Sequence, residues 1–362
     1  MLRYHMALIT RDQALRRSVK RLTTATGSTA DFFPDAAPIE PAFPVDLVIY
    51  DARSEPPEAR FAERVPKTTH LIYLIEGDRL VQRMGLMQDA RVTSLFCHDD
   101  RFDDDEFIAT ATKALRGEVF GLAKYFPWGV TLFSMVVRNY RDKSAALEIL
   151  LQYATLAGCR GGVRDRIQLV CDELMMNALY HSAVDAKGRE IYAGKSVKEL
   201  AQLDEVNPIQ VQYGCSGRYF GVSVRDGGGS LPRERILEYL TRAGEYSPME
   251  EKAGGAGLGL ISVLRSVSKL VFNLDPRQST EVIGLFDMEL LAKGKLGARS
   301  LHLFQAAPHE DEIRERPAAG RARRQRSLVS RSLSRVSEPG IWTLAAVLLV
   351  VVLLLGVLYV RR

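Results

Sequence analysis

Glu173, Asn177 and His181 stand four residues apart in the stretch VRDRIQLVCDELMMNALYHS. Apolar Ile167, Val170, Leu174 and Ala178 recur there at helical spacing, so the three polar residues share one helix face. An acid and a carboxamide one turn apart can serve a nucleotide and its metal. The amide oxygen is a hard ligand suited to Mg²⁺, and the carboxylate can take a proton from a water or a hydroxyl. A surface helix can also carry such a pair by chance. A second element is the strand RYFGVSV, which runs into Asp226 and then Gly227, Gly228 and Gly229. A carboxylate at a strand end can accept a hydrogen bond from an exocyclic amine such as adenine's, and glycines let backbone approach a flat ring. An ordinary strand-to-helix turn would look the same. A third element is GGAGLGLISVLRSV, in which Gly254, Gly255, Gly257 and Gly259 lead into an apolar helix. Free amides at such a place cradle phosphates. No Gly-Lys-Ser/Thr follows and no strand directly precedes it, so it is neither a Walker A loop nor a dinucleotide turn. Thr280 lies near the second of two strands in VFNLDPRQSTEVIGLFDM, where its hydroxyl can reach a phosphate or a water.

The elements that position these residues are legible around them. TLFSMVVRNY reads as a strand, and SAALEILLQYATLAG reads as a helix ended by Gly158. The apolar run before that strand is broken by Pro127 and Gly129 and interrupted by Lys124, so it is not a membrane span. Residues 183–206 form a polar, charged stretch. Residues 231–253 carry Arg233, Arg235, Arg242 and Lys252, which suit either phosphates or a solvated helix face.

Taken in order, ELMMNALYH, DGGG, GGAGLGL and STEVIGLF resemble the N box, the two glycine boxes and the final Thr box of the GHKL ATPase superfamily. The resemblance covers about residues 130–292. The helix leading directly into the Glu-Leu-x-x-Asn-Ala box looks most like the anti-sigma-factor serine kinases. It implies an α+β ATPase sandwich with ATP and Mg²⁺ as cofactors. It would make Asn177 the Mg²⁺ ligand, Glu173 the general base and Asp226 the partner of the adenine amine. Gly228 would admit the ring, Gly255, Gly257 and Gly259 would wrap the triphosphate, and Thr280 would support the adenine side. The pattern departs at Ser230, where a second spaced glycine is usual. No helix pair carrying a phospho-accepting His precedes the domain, since His5, His70 and His98 lie elsewhere.

Residues 1–118 alternate strands with helices. HMALIT, VDLVIYDA, THLIYLI and VTSLFCH read as strands; RDQALRRSVKRLTTA and DDDEFIATATKALRGEV read as helices. The alternation implies a parallel α/β sheet. This stretch resembles a response-regulator receiver domain, with Asp51 where the phospho-accepting Asp would stand. The companions differ: Thr10, Arg11 and Asp12 replace the acidic pair, Glu76 and Gly77 the Ser/Thr, and His98 and Asp99 the Lys. The resemblance implies a degenerate receiver that docks on a partner or on the second domain.

The chain of 362 residues has 46% hydrophobic and 26% charged residues, which excludes a disordered or disulfide-stapled protein. Its net charge of +5 is unevenly placed. Seven arginines fall in residues 316–335 with no acid, and Arg361 and Arg362 end the chain. Residues 1–315 hold 40 basic and 43 acidic residues, so the charge is not a nucleic-acid footprint. Residues 341–360 are uncharged, flanked by Trp342 and Tyr359, and long enough to cross a bilayer. We therefore expect an arginine-rich juxtamembrane linker over 305–340 and a transmembrane helix over 341–360. This makes a single-pass tail anchor with the N-terminal domains cytoplasmic. Cys97, Cys159, Cys171 and Cys215 show no metal spacing and read as reduced thiols.

The expectation for function is a membrane-tethered ATP-binding signalling regulator. It would phosphorylate serine or threonine on an anti-anti-sigma or sigma-like regulator, or act on a response regulator, as a monomer or a homodimer. Two alternatives share the resemblance: a nucleotide-dependent module that sequesters a partner, and a histidine kinase lacking its own dimerisation domain.

Overall fold

The computed structural model describes residues 4–306, except 40–43, 59, 100–101, 182, 184, 186–190, 193–194, 196, 204–206, 243–257, 277 and 296. The expected linker starts too early, because Gln305 closes the last strand of the sheet; its remainder from residue 307 and the membrane span fall outside the described residues. Among those described, no helix is long and apolar enough to cross a membrane.

The chain begins with β1 (Tyr4–Ile9), α1 (Gln13–Leu22), β2 (Ser28–Phe33), β3 (Leu47–Asp51), α2 (Phe61–Arg64), β4 (His70–Ile75), α3 (Leu80–Arg83), β5 (Val92–Cys97) and α4 (Asp104–Arg116). The inner strands are apolar along their length, LVIYD and HLIYLI, because helices or turns cover both faces. Both long helices are defined by their ends. Asp12 caps α1 by accepting from the amides of Ala14 and Leu15, and Leu15, Val19 and Leu22 turn inward. Asp103 caps α4, three acids follow in its first turn, and Gly117 at φ 74° ends it. The strands run parallel in the order β2-β1-β3-β4-β5, a doubly wound arrangement whose switch point lies between β1 and β3. Among the described residues, the connections after β3 and β4 hold only the short α2, the short α3 and 3-10 turns, where a full helix would be usual.

The second half comprises β6 (Phe133–Val137), α5 (Tyr140–Leu156), α6 (Gly161–Met176), α7 (Val197–Leu200), β7 (Ile209–Cys215), β8 (Tyr219–Asp226), α8 (Arg233–Thr241), α9 (Leu258–Ser266), β9 (Lys269–Asp275), β10 (Ser279–Asp287), α10 (Met288–Ala292) and β11 (Ser300–Gln305). Strands β9, β10, β8, β7 and β6 pair antiparallel in that order. Helices α5, α6 and α9 pack together, with α6 also against β8 and β10.

Strand β11 joins the halves. It pairs antiparallel with β5 and parallel with β9, so the eleven strands of the described residues form one mixed sheet, and Met1–Ala307 is one compact unit. The seam is charged as well as apolar. Lys269 on β9 donates to Asp103 Oδ2 at 2.7 Å and lies 2.5 Å from Glu106 Oε2. Tyr219 on β8 donates to the same Asp103 oxygen at 2.7 Å. His302 on β11 bridges Glu106 Oε1 and Ser94 Oγ, both at 2.9 Å. Burial alone would raise the Asp103 carboxyl, but the Lys269 ammonium and the bonds from Lys269 and Tyr219 hold it well below the usual carboxylate range.

Candidate functional site

Helix α6 buries Val163, Ile167, Val170, Cys171, Leu174 and Met175, which leaves Glu173 and Asn177 half-buried at the edge of that face. The regular helix ends at Met176. Residues Asn177–His181 form a π turn packed against β8. The wider turn departs from the continuous helix expected through His181. Such turns arise where a helix accommodates an extra residue, frequently beside a site.

Asp226 ends β8 and is buried. Its Oδ1 accepts the amide of Gly228 at 2.7 Å and that of Gly229 at 3.2 Å, and Gly229 has φ 54°. The carboxylate therefore shapes the glycine turn that follows it. Burial pushes its pKa above the usual value, against the opposing pull of the Gly228, Gly229 and Thr280 amides. Thr280 is the register partner of Asp226 across the β8–β10 ladder and is itself buried. Ser279, not singled out in the sequence, donates to the Asp226 carbonyl at 2.8 Å and accepts from Arg225 Nε at 2.7 Å.

Gly259 is the second residue of α9, and it faces Glu173 on α6. A Cβ there would collide with Glu173 Oε2 and come within 3.0 Å of its Cδ. Glycine at 259 is thus what leaves room for the Glu173 carboxylate in its place. The structure brings Glu173 to Gly259, the Asn177 turn to β8, and Asp226 to Gly228 and Thr280. Gly255 and Gly257 fall outside the described residues, as do residues 243–253 of the arginine-bearing segment.

The two arginines of α8 and the Arg242 that caps its C-terminus separate clearly. Arg235 donates to Tyr239 OH at 2.7 Å and Arg242 pairs with Glu238 at 2.6 Å, both on the outer face. Arg233 corrects the expectation of a phosphate contact or a solvated face. It is buried, on the stripe formed with Ile236, Leu237 and Leu240, and it donates to backbone carbonyls.

A second polar cluster occupies the carboxyl ends of β1, β3 and β5. Asp51 accepts from Thr10 Oγ1 at 2.6 Å and from Arg53 Nε and Nη2, both at 2.8 Å. The same Arg53 donates to Asp12 Oδ2 at 2.9 Å. One guanidinium therefore bridges the two carboxylates. Burial raises the Asp51 carboxyl, yet the bonds from Arg53 and Thr10 outweigh it and leave the pKa lowered. The sequence held a signal for this, a basic residue two positions after the strand-end acid, that motif matching overlooks. Beside it, Arg53, His98, Asp99, Lys295 and Arg299 line a cleft of about 860 Å³. Asp99 there pairs with Arg299 and accepts the Gly77 amide at 2.9 Å. Among the described residues no cluster of His, Cys, Asp and Glu could hold a metal ion, and the four cysteines are free thiols.

In comparisons with known proteins, no family model and no curated protein matches the chain.

Proposed function

We propose that the C-terminal half is a GHKL-type nucleotide site, and that the chain is an ATP-dependent serine/threonine kinase acting on a regulatory protein partner. The observation that supports this most is Gly259 against Glu173. Two motifs 86 positions apart in sequence meet there, beside the strand that ends in Asp226.

The residues fit such a ligand. Asp226 is a buried acceptor beside a turn of glycines, where an adenine amine could donate. Thr280 holds the same level of the sheet. Asn177, half-buried one turn after Glu173, offers a hard oxygen for Mg²⁺. Bound Mg²⁺ would neutralise charge on the β- and γ-phosphates. Glu173 would accept the proton of the attacking hydroxyl as its oxygen bonds to the γ-phosphorus and the bond to ADP breaks. Gly259 keeps that carboxylate from being displaced.

The N-terminal half is read as a degenerate receiver. The strand order β2-β1-β3-β4-β5 and the position of Asp51 at the end of β3 support this, and the Arg53 bridge stands where a divalent cation would be needed. We read residues 307–340 as a basic linker next to anionic headgroups, and residues 341–360 as a tail anchor.

The test is incubation of the full-length chain with γ-labelled ATP and candidate partner-switching proteins. Acid-stable label should pass to the partner and be lost with Glu173→Ala. Binding of nucleotide without transfer to any partner would favour the sequestering module instead, and acid-labile label on a partner His would favour the histidine-kinase reading.

A further inference from the structure

We propose that Arg233 is a positioning residue through which the N-terminal half sets the nucleotide affinity of the C-terminal half. This rests on the nucleotide-site reading above.

Arg233 opens α8 in a position that the helix otherwise gives to apolar residues, since Ile236, Leu237 and Leu240 complete the same buried stripe. An arginine on such a stripe breaks the local pattern, and a break of this kind needs a compensating role. Its guanidinium is held by backbone oxygens. It donates to the carbonyls of Met87 and Val92 at 2.8 Å each, Asp89 at 3.4 Å and Leu303 at 3.3 Å. Three of these carbonyls belong to the N-terminal half, in the turn before β5 and at its first residue. The fourth lies on β11, the strand that joins the halves. Five N–H donors in a fixed fork are what allow one side chain to read several carbonyls.

The turn that Arg233 grips is itself fixed from behind. Arg91 binds Asp89 and the carbonyls of Ala62 and Val65 at 2.6 and 2.7 Å. On its other side, α8 packs on α9, and the second residue of α9 is the Gly259 that meets Glu173. A contiguous path therefore runs from the loop between β4 and β5, through Arg233 and α8, to α9 and the carboxylate of Glu173. Every link is a packed or hydrogen-bonded contact between described residues. A change in the N-terminal half that moves residues 87–92 must move α8 or break these bonds. The N-terminal half can then act on the nucleotide site without being phosphorylated.

The test uses the full-length chain with Arg233→Met, which fills the apolar stripe but cannot bind the carbonyls, and Arg233→Lys, which keeps the charge and loses the fork. The KM for ATP should rise at least fivefold in Arg233→Met and less in Arg233→Lys, with kcat within twofold of wild type. Arg91→Lys, which touches neither α8 nor the site, should raise KM in the same direction, and the double variant should add little to Arg233→Met alone. An unchanged KM with a reduced yield of folded protein would overturn the proposal and leave Arg233 as a structural residue. If the wild-type chain binds no ATP, the nucleotide reading fails. The coupling is then judged by hydrogen exchange. Arg233→Met should speed exchange in residues 258–266 as well as 84–92, and unchanged exchange in 258–266 would overturn it.

Discussion

Gly259 on α9 leaves no space for a β-carbon between itself and the carboxylate of Glu173 on α6. The obstacle to a larger residue is the far end of a flexible side chain, so the fold can absorb a methyl group while Glu173 cannot keep its place. Gly259→Ala should therefore leave thermal stability unchanged or slightly raised, because Ala is the better helix former by ~1 kcal/mol. On the proposed kinase reading, phosphoryl transfer should fall by roughly 10²-fold, the usual cost of misplacing a catalytic group by about 1 Å. A melting curve and a transfer assay on one preparation would check both halves of the prediction.

Lys269 neutralises two buried carboxylates at once, Asp103 and Glu106. Replacing it with Met removes that cation, leaving Asp103 to Tyr219 and the half-exposed Arg218, and, among the described residues, the fully buried Glu106 to His302 alone. The expected cost is ~3–5 kcal/mol, read by urea unfolding. Because the pair lies on the seam, a single cooperative transition should move as a whole. A variant that melted the halves separately would show that the shared sheet does not bind them into one unit.

The acid limb of stability should follow from the same site. A carboxyl whose folded pKa is depressed contributes stability above its unfolded pKa, about 3.9 for Asp, and loses it as pH falls through the folded value. Asp103 is such a group. Stability should hold down to about pH 4 and fall below that. Asp103→Asn should be less stable at neutral pH and show a shallower acid slope.

Asp226 behaves in the opposite sense. Burial raises its pKa, so its carboxylate is lost at a higher pH than an ordinary aspartate's. If the ionised form accepts the adenine amine, nucleotide affinity should weaken on acidification, beginning above the usual range near pH 4. Asp226→Asn should flatten that dependence. Affinity measured across the pH range for both proteins would decide it.

The Arg53 bridge makes a further case. With its guanidinium on both Asp51 and Asp12, a small phosphodonor such as acetyl phosphate should leave Asp51 unmodified. Intact-protein mass spectrometry showing a phosphoryl adduct on Asp51 would contradict the degenerate reading.

Local pattern carried much of this architecture. The apolar runs LVIYD, HLIYLI and VTSLFC and the capped helices α1 and α4 follow from their own residues. The Asp226–Thr280 pairing was hinted at by the strands around each. Strand β2, STADFF, was missed because an edge strand half open to solvent needs no clean alternation. Strand β11, SLHLFQ, was missed because His302 in its middle reads as polar; it is buried only because Glu106 and Ser94 wait for it from α4 and β5. Arg233 escapes a local reading for the same reason. Its partners are backbone carbonyls of a distant turn, which no sequence window contains. The side chains whose environment comes from the other half are those that local reasoning cannot place.

Calorimetric titration of the full-length chain with Mg-ATP tests the nucleotide site most directly. The account predicts saturable binding at one site per chain that requires Mg²⁺ and disappears with Asp226→Ala. Absence of saturable binding to the folded wild-type chain at millimolar nucleotide would contradict it.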